Sequence, residues 1–313
     1  MHIGRRNQLN ITLDPVVRID TIPYLSCTLQ ERHTPIADTQ AKARRDAEGS
    51  KSVEGKKWGD GRVEVVLDPT TAPYWLALAL GRINSSTPKD HLITQSPENE
   101  PLIATISRER NMGEIIEFLN SVVDTFELNF ADDVAKLGMD IMSKYPTSPE
   151  SPESPGDVGE GEDLTYYTFR NATVKVGDLE SPEAMILIQV RELTLRIENG
   201  AEIIFLPRGE IRIVWKAIRV SGHFKLLFED EVQLGAFADI SAKQGLLITF
   251  EGEDSDKIEI AIPTFRVDNW SEEAGIDDLV EEGIDFVAEY DVDAEKTISA
   301  EVVNGVDRYK EES

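Results

Sequence analysis

Gly61-Arg62-Val63-Glu64-Val65-Val66-Leu67 places Val63, Val65 and Leu67 on one face and Arg62 and Glu64 on the other. That two-residue period is the mark of a half-buried antiparallel strand. The same alternation runs through Thr125–Phe130, where Phe126, Leu128 and Phe130 oppose Thr125, Glu127 and Asn129. It returns in 193–198, in 222–228 apart from Leu227, and in 257–262. Further strands are expected at 139–143, 258–267 and 284–289. The chain therefore reads as mainly β, an antiparallel β-sandwich with short flanking helices. Asn199-Gly200 after Ile197 reads as a hairpin turn.

Helical signals are few. Residues 71–80 form an apolar run behind Asp68-Pro69-Thr70-Thr71, with a threonine N-cap, a proline in the first turn and Gly81 as the stop. Residues 229–240 are a second candidate and 277–282 a short helical turn. Residues 32–60 are polar, locally basic and read as an irregular loop. The charged end, 304–313, is expected to fray.

Pro146–Asp163 reads PTSPESPESPGDVGEGED, with almost no apolar side chain. It cannot bury enough surface to fold alone and reads as a linker between a module at 1–145 and another at 164–313. The two halves share an order: strand, helix, strands, acidic turn, final strand. That order suggests an internal duplication.

The 313 residues carry 32 − 59 = −27 formal charges. A field of that sign opposes tight binding of nucleic acid. No apolar run approaches the roughly 20 residues needed to span a bilayer, and the N-terminus has no apolar stretch behind Arg5 and Arg6, so no secretory signal is expected. Cys27, the single cysteine, forms no intrachain disulfide and reads as a small core residue. No phosphate-binding glycine loop, nucleophile elbow or HExxH motif is present. His2, His33 and His91 fall in expected loops, and His223 on the polar face of a strand. Asp291-Val292-Asp293-Ala294-Glu295 opens like a calcium loop, but Lys296 and Val302 stand where glycine and glutamate are needed. The carboxylate pairs 132–133 and 272–273 read as solvated turns. Trp58, Trp75, Trp215 and Trp270 read as core or interface packing. Neither an enzyme, nor a cofactor, nor a metal site is expected.

The run Trp58–Pro69, followed by Tyr74–Gly81, resembles the tail tube proteins (major tail proteins) of tailed bacterial and archaeal viruses. Residues 220–229, 245–250 and 258–263 resemble the second half of that pattern. The resemblance covers most of residues 58–290. It implies a structural subunit of the virion tail, made in the host cytoplasm, that forms stacked rings. Strands from each copy would join an intersubunit β-barrel around an acidic lumen that conducts viral DNA. Its partners would be further copies of itself, other tail proteins and transiently the DNA, with no membrane. Glu64, Glu127 and Glu198 are the candidates for facing the lumen. Arg44, Arg45, Lys51, Lys56 and Lys57 form a candidate ring-stacking loop. A duplicated chain closes a ring of three, a single enlarged module a ring of six. Alternatives are a distal tail or terminator ring, and a secreted β-rich ligand-binding module.

Overall fold

The computed structural model describes residues 8–13, 17–37, 52–98, 100–109, 115–131, 134–148, 166–227, 244–252, 255–273, 281–307 and 309. In chain order the strands of the first half are β1 (Gln8–Leu13), β2 (Val17–Pro23), β3 (Ser26–Cys27), β4 (Gln30–Ala37), β5 (Ser52–Val66), β6 (Gly81–Thr87), β7 (Asp90–Gln95), β8 (Ala104–Glu109), β9 (Ile115–Phe130) and β10 (Lys136–Ser143). The helix α1 (Ala72–Leu80) lies between β5 and β6. The second half contributes β11 (Ala172–Gly177), β12 (Ile186–Ile188), β13 (Val190–Glu198), β14 (Glu202–Phe205), β15 (Ile211–Val214), β16 (Arg219–Leu227), β17 (Gln244–Glu251), β18 (Lys257–Glu273), β19 (Glu281–Ala288) and β20 (Ser299–Val303). Every pairing between strands is antiparallel.

The main sheet runs β4–β5–β10–β9–β13–β16–β19–β18, with β3 continuing β4 along β5. Its inward residues Val63, Met139, Phe126, Leu195, Phe224 and Phe286 are almost fully buried, and they share one core with Leu9, Ile11, Ile106, Val176, Ile248 and Ile260 of the other strands. The long strands β9 and β18 serve both sets. The first part of β9 pairs with β8, which pairs with β1; the first part of β18 pairs with β17, which pairs with β11. A mainly β, sandwich-like architecture results, as the alternation predicts.

One order of pairing occurs twice in the main sheet. The segments β4–β5–β10–β9 and β13–β16–β19–β18 match strand for strand. The match extends to single residues. Gly138 stands between Glu64 and Glu127, and Gly283 between Lys225 and Ser271. Gly61 faces Ile141, and Gly222 faces Phe286. The β10–β9 ladder skips Asp124 between Thr125 and Val123, and the β19–β18 ladder skips Asp268 between Asn269 and Val267. A bulge kinks a strand and re-aims it, so both long strands bend at the same step. After β10, Glu117 bridges Thr147; after β19, β20 pairs with β18 in the corresponding place.

The expected helix at 71–80 forms as Ala72–Leu80, and Gly81 closes it with φ of 96°. Its N-terminus is capped differently. Thr71 makes no side-chain cap. Instead Asp68 Oδ1 accepts the backbone N–H groups of Thr70 and Thr71 at 2.9 Å each, and the Thr71 hydroxyl donates to Asp68 Oδ2. Every helix residue is buried, so the run is apolar all round.

Several expectations fail. Residues 32–60 are not one irregular loop: β4 and β5 form a hairpin down to Ala37 opposite Ser52. No apolar alternation betrays β4, because residues 31–34 are exposed. Asn199-Gly200 does not close a hairpin of consecutive strands. Gly200 sits at φ 57°, and the chain leaves the main sheet there for the separate β14–β15 hairpin before returning as β16. Glu281 and Glu282 belong to β19 rather than to a helical turn. His33 and His91 lie on strands β4 and β7 rather than in loops. His91 is fully buried, bonding Ser85 Oγ and the Val306 carbonyl at 2.9 Å each. The C-terminal segment docks rather than frays as far as Tyr309. That ring is fully buried 4.7 Å from Tyr74 and 4.5 Å from His91, and its hydroxyl donates to the Thr70 carbonyl at 2.8 Å. One buried tyrosine outweighs the polar character of its neighbours. The helix candidate 229–240, residues 277–280 and 149–163 of the linker lie outside the described residues.

Candidate functional site: the charged face of the main sheet

Alternation fixes the site. Because the odd residues of β5 are committed to the core, Asp60, Arg62 and Glu64 must point outward, and the ladder carries that choice from strand to strand. Glu64, Gly138, Glu127 and Arg196 form one row across β5, β10, β9 and β13. Arg62, Asp140, Thr125 and Glu198 form the next. The structure thus brings Glu64, Glu127 and Glu198 onto a single face.

Arg62 is the centre of that face, and nothing in the sequence pattern singled it out. Its guanidinium lies over Gly138, where an added Cβ would come within 2.3 Å of Nη2. From there it reaches Glu64 at 3.2 Å, Glu127 at 3.4 Å and Asp140 at 3.6 Å. Partial burial works against its charge, but Glu127, Asp140 and Glu64 outweigh that and raise its pKa. Asp140 is itself pushed up, chiefly by burial, although Arg62 pulls it down.

In the corresponding place of the other four-strand segment stand His223 and Asp285, at 2.7 Å. There the hydrogen bond from His223, then that from Asn269, lowers the Asp285 carboxyl. Arg196 pairs with Glu198 at 2.9 Å, Lys225 with Glu281 at 2.7 Å and Arg32 with Asp60 at 2.7 Å. The hydrogen bond from Lys225 holds Glu281 low. Lys136 and Arg219 share the face by register. Most of the charges on the face are therefore paired, and it is not a bare acidic surface. A search for acidic residues alone finds three of its members and misses the cations that hold them.

The other expected site residues are not gathered in one place. Lys56 and Lys57 belong to β5, with Lys56 Nζ 4.7 Å from the centre of the Phe205 ring and Lys57 Nζ 4.8 Å from that of Tyr145. Phe205 comes from the β14–β15 hairpin and also meets Trp58 edge-on at 5.9 Å. Arg44, Arg45 and Lys51 lie outside the described residues. Trp75 and Trp215 are buried, whereas Trp270 is 37% exposed. Cys27 is half-buried against the core. Asp291 closes a turn by accepting the N–H groups of Asp293 and Ala294 at 2.9 Å each. Among the described residues no cluster of histidine, cysteine and carboxylates could hold a metal.

A long bent sheet with a charged outer face suits an assembly protein. A family model described as phage tail tube protein matches residues 32–300. The chain belongs to the phage tail tube protein family. No curated protein matches it. As a tail tube protein it has a structural role in the virion tail, in a family that is structural rather than enzymatic. Membership implies self-association and contact with other tail proteins. Among the described residues no helix is long and apolar enough to cross a membrane.

Proposed function

We propose that this tail tube protein is a tandem duplication of one tube module, and that three chains close a ring whose lumen is lined by the charged face. The observation that carries the reading is the pair of matching segments β4–β5–β10–β9 and β13–β16–β19–β18, with the same bulge step at Asp124 and Asp268 and the same glycine step at Gly138 and Gly283. Chance gives similar strand order in β proteins, but a shared register with a shared bulge is a much narrower coincidence. Module boundaries near 1–145 and 164–313 put the 146–163 segment between the copies. Each chain then supplies two four-strand segments to the barrel, and barrel diameter follows strand number. Rings stack into a tube, and viral DNA passes through a lumen whose net charge repels phosphate.

End-on electron micrographs of assembled protein test this. Rings with three copies of the chain are expected; six chains per ring would refute the duplication, and a monomer at every concentration and salt would refute the tube. The segment between β4 and β5, which includes Arg44, Arg45 and Lys51, is the part proposed to reach the next ring. Changing those three residues to Glu should leave single rings and stop stacking; tubes of unchanged length would reject that role.

A further inference from the structure

The main sheet has two ends. At one, β3 and β4 pair with β5, and no strand among the described residues lies on their outer side. At the other, β18 pairs with β19 over Phe265–Glu273, while β17 covers the opposite edge only up to Phe265. Residues 266–273 of that edge carry no strand among the described residues. Eight residues of open edge are a template for another strand. Trp270 sits on it and is 37% exposed, whereas Phe126, at the same step of β9, is fully buried. What covers Phe126's strand is β13: Thr194 faces Asn129, Arg196 faces Glu127 and Glu198 faces Thr125.

We propose that the β9–β13 junction inside the chain is the template for the junction between chains, so that 269–273 of β18 pairs antiparallel with 28–32 of β3–β4 in a second copy. This rests on the duplicated-module reading above. The register follows from residues already matched. Gly61 faces Leu29 as the continuation of the β3–β5 and β4–β5 ladders, and Gly222 faces Leu195, so Leu29 takes the place of Leu195. Gly138 faces Glu127 and Gly283 faces Ser271, so Ser271 takes the place of Glu127. The seam then sets Thr28 opposite Glu273, Gln30 opposite Ser271 and Arg32 opposite Asn269. None of these pairs opposes like charges, which cross-strand neighbours disfavour. The second copy's strand would cover the Trp270 edge as β13 covers that of Phe126. Repeating the seam closes both open edges.

Disulfide trapping tests the register. Gln30 and Ser271 are both exposed, so replacing them should leave the fold intact. Directly opposed residues lie about 4.5–5.5 Å apart at Cα, within disulfide reach, whereas a diagonal neighbour at about 7–8 Å is not. In a Cys27→Ser background, Gln30→Cys with Ser271→Cys should give, on oxidation, a ladder that ends at a covalent ring of three. Gln30→Cys with Asn269→Cys should stay largely uncrosslinked. Preferential trapping of the Asn269→Cys variant would overturn the register. Rings of three in the microscope with no Gln30–Ser271 bridge would overturn the seam but leave the tube intact. A protein that forms no rings at all would remove the tube reading and the seam with it.

Discussion

Gly61→Ala is the most demanding single test of how the sheet is built. Gly61 lies at φ 154°, and a Cβ there would meet the Thr28 carbonyl oxygen at 2.5 Å and the Leu29 Cα and N at 2.6 Å. All three are backbone atoms of the link between β3 and β4 at the end of the main sheet, so no rotamer change relieves the clash. A residue held in a sparsely populated backbone region costs about 1–3 kcal/mol. Overpacking against a fixed wall adds about 1–3 kcal/mol, giving roughly 2–6 kcal/mol in all. With about 2.1 cal/mol/K of unfolding entropy per residue, a chain of this length loses roughly 1.5 °C per kcal/mol if it melts cooperatively. A fall in Tm of about 3–9 °C is expected by calorimetry. Limited proteolysis should also show earlier cleavage within 24–37, because the strain falls on β3 and β4. Gly305→Ala is the control, since nothing lies within 4 Å of a Cβ there. If Gly61→Ala melts within 1 °C of both the parent and the control, close backbone approach is not what requires glycine, and the matched role given to Gly222 weakens with it.

Asp68→Ala should cost about 2–4 kcal/mol, because it strips the buried N–H of Thr71 and the part-buried N–H of Thr70 of their acceptor. Asp68→Asn keeps an acceptor and should cost less than half as much in urea midpoint; equal losses would show that the cap is not hydrogen bonding. His91 is held below its ordinary pKa, chiefly by burial, although the Val306 carbonyl, Asn304 and Asp90 pull it up. The native state therefore binds fewer protons than the unfolded chain below about pH 6.5, and this group's contribution to stability falls as pH falls, by at most about 1.4 kcal/mol per pH unit. Asp68 and Asp140 act in the opposite sense, since their carboxyls are raised, chiefly by burial, and acid favours the native state through them. The difference between the parent and His91→Gln isolates the histidine: it should be flat above about pH 7 and shift against the parent below 6.5. A difference independent of pH would refute it.

Strands with one committed face were legible in the sequence, because burial imposes a period of two on Val63–Leu67, Phe126–Phe130 and Leu193–Ile197. Strand β4 was not, because residues 31–34 carry no apolar face in the isolated chain. The Asn199-Gly200 turn was found but misplaced in topology. A positive φ says that the chain bends, not which strand it meets next. Asn199 is buried and its amide donates to the Ala79 and Val123 carbonyls at 2.9 and 3.1 Å, contacts made 120 and 76 residues away. Local composition carries no trace of such partners. The same holds for the charged face. Glu64, Glu127 and Glu198 could be picked out as outward acids, but Arg62 joins three of its carboxylates only because β10 lies between β5 and β9 and offers glycine under its guanidinium.

That pairing bears on how a lumen could pass DNA without holding it. An acidic lumen is one solution, since like charge repels phosphate at a distance set by salt. The face described here also carries arginine and lysine, which unpaired would bind phosphate and release counterions. Arg62 is shared among three carboxylates, and Arg32, Arg196 and Lys225 each have one within 3 Å. A phosphate approaching any of them must displace a carboxylate already in contact, and so gains only the difference between two similar ion pairs. The displaced carboxylate, held by its strand, would remain beside the phosphate and repel it. On this reading the cations stabilise the barrel wall while the acids beside them deny them to DNA. If this face lines the lumen as proposed, passage without sticking follows from the register of the sheet as much as from the sign of the net charge.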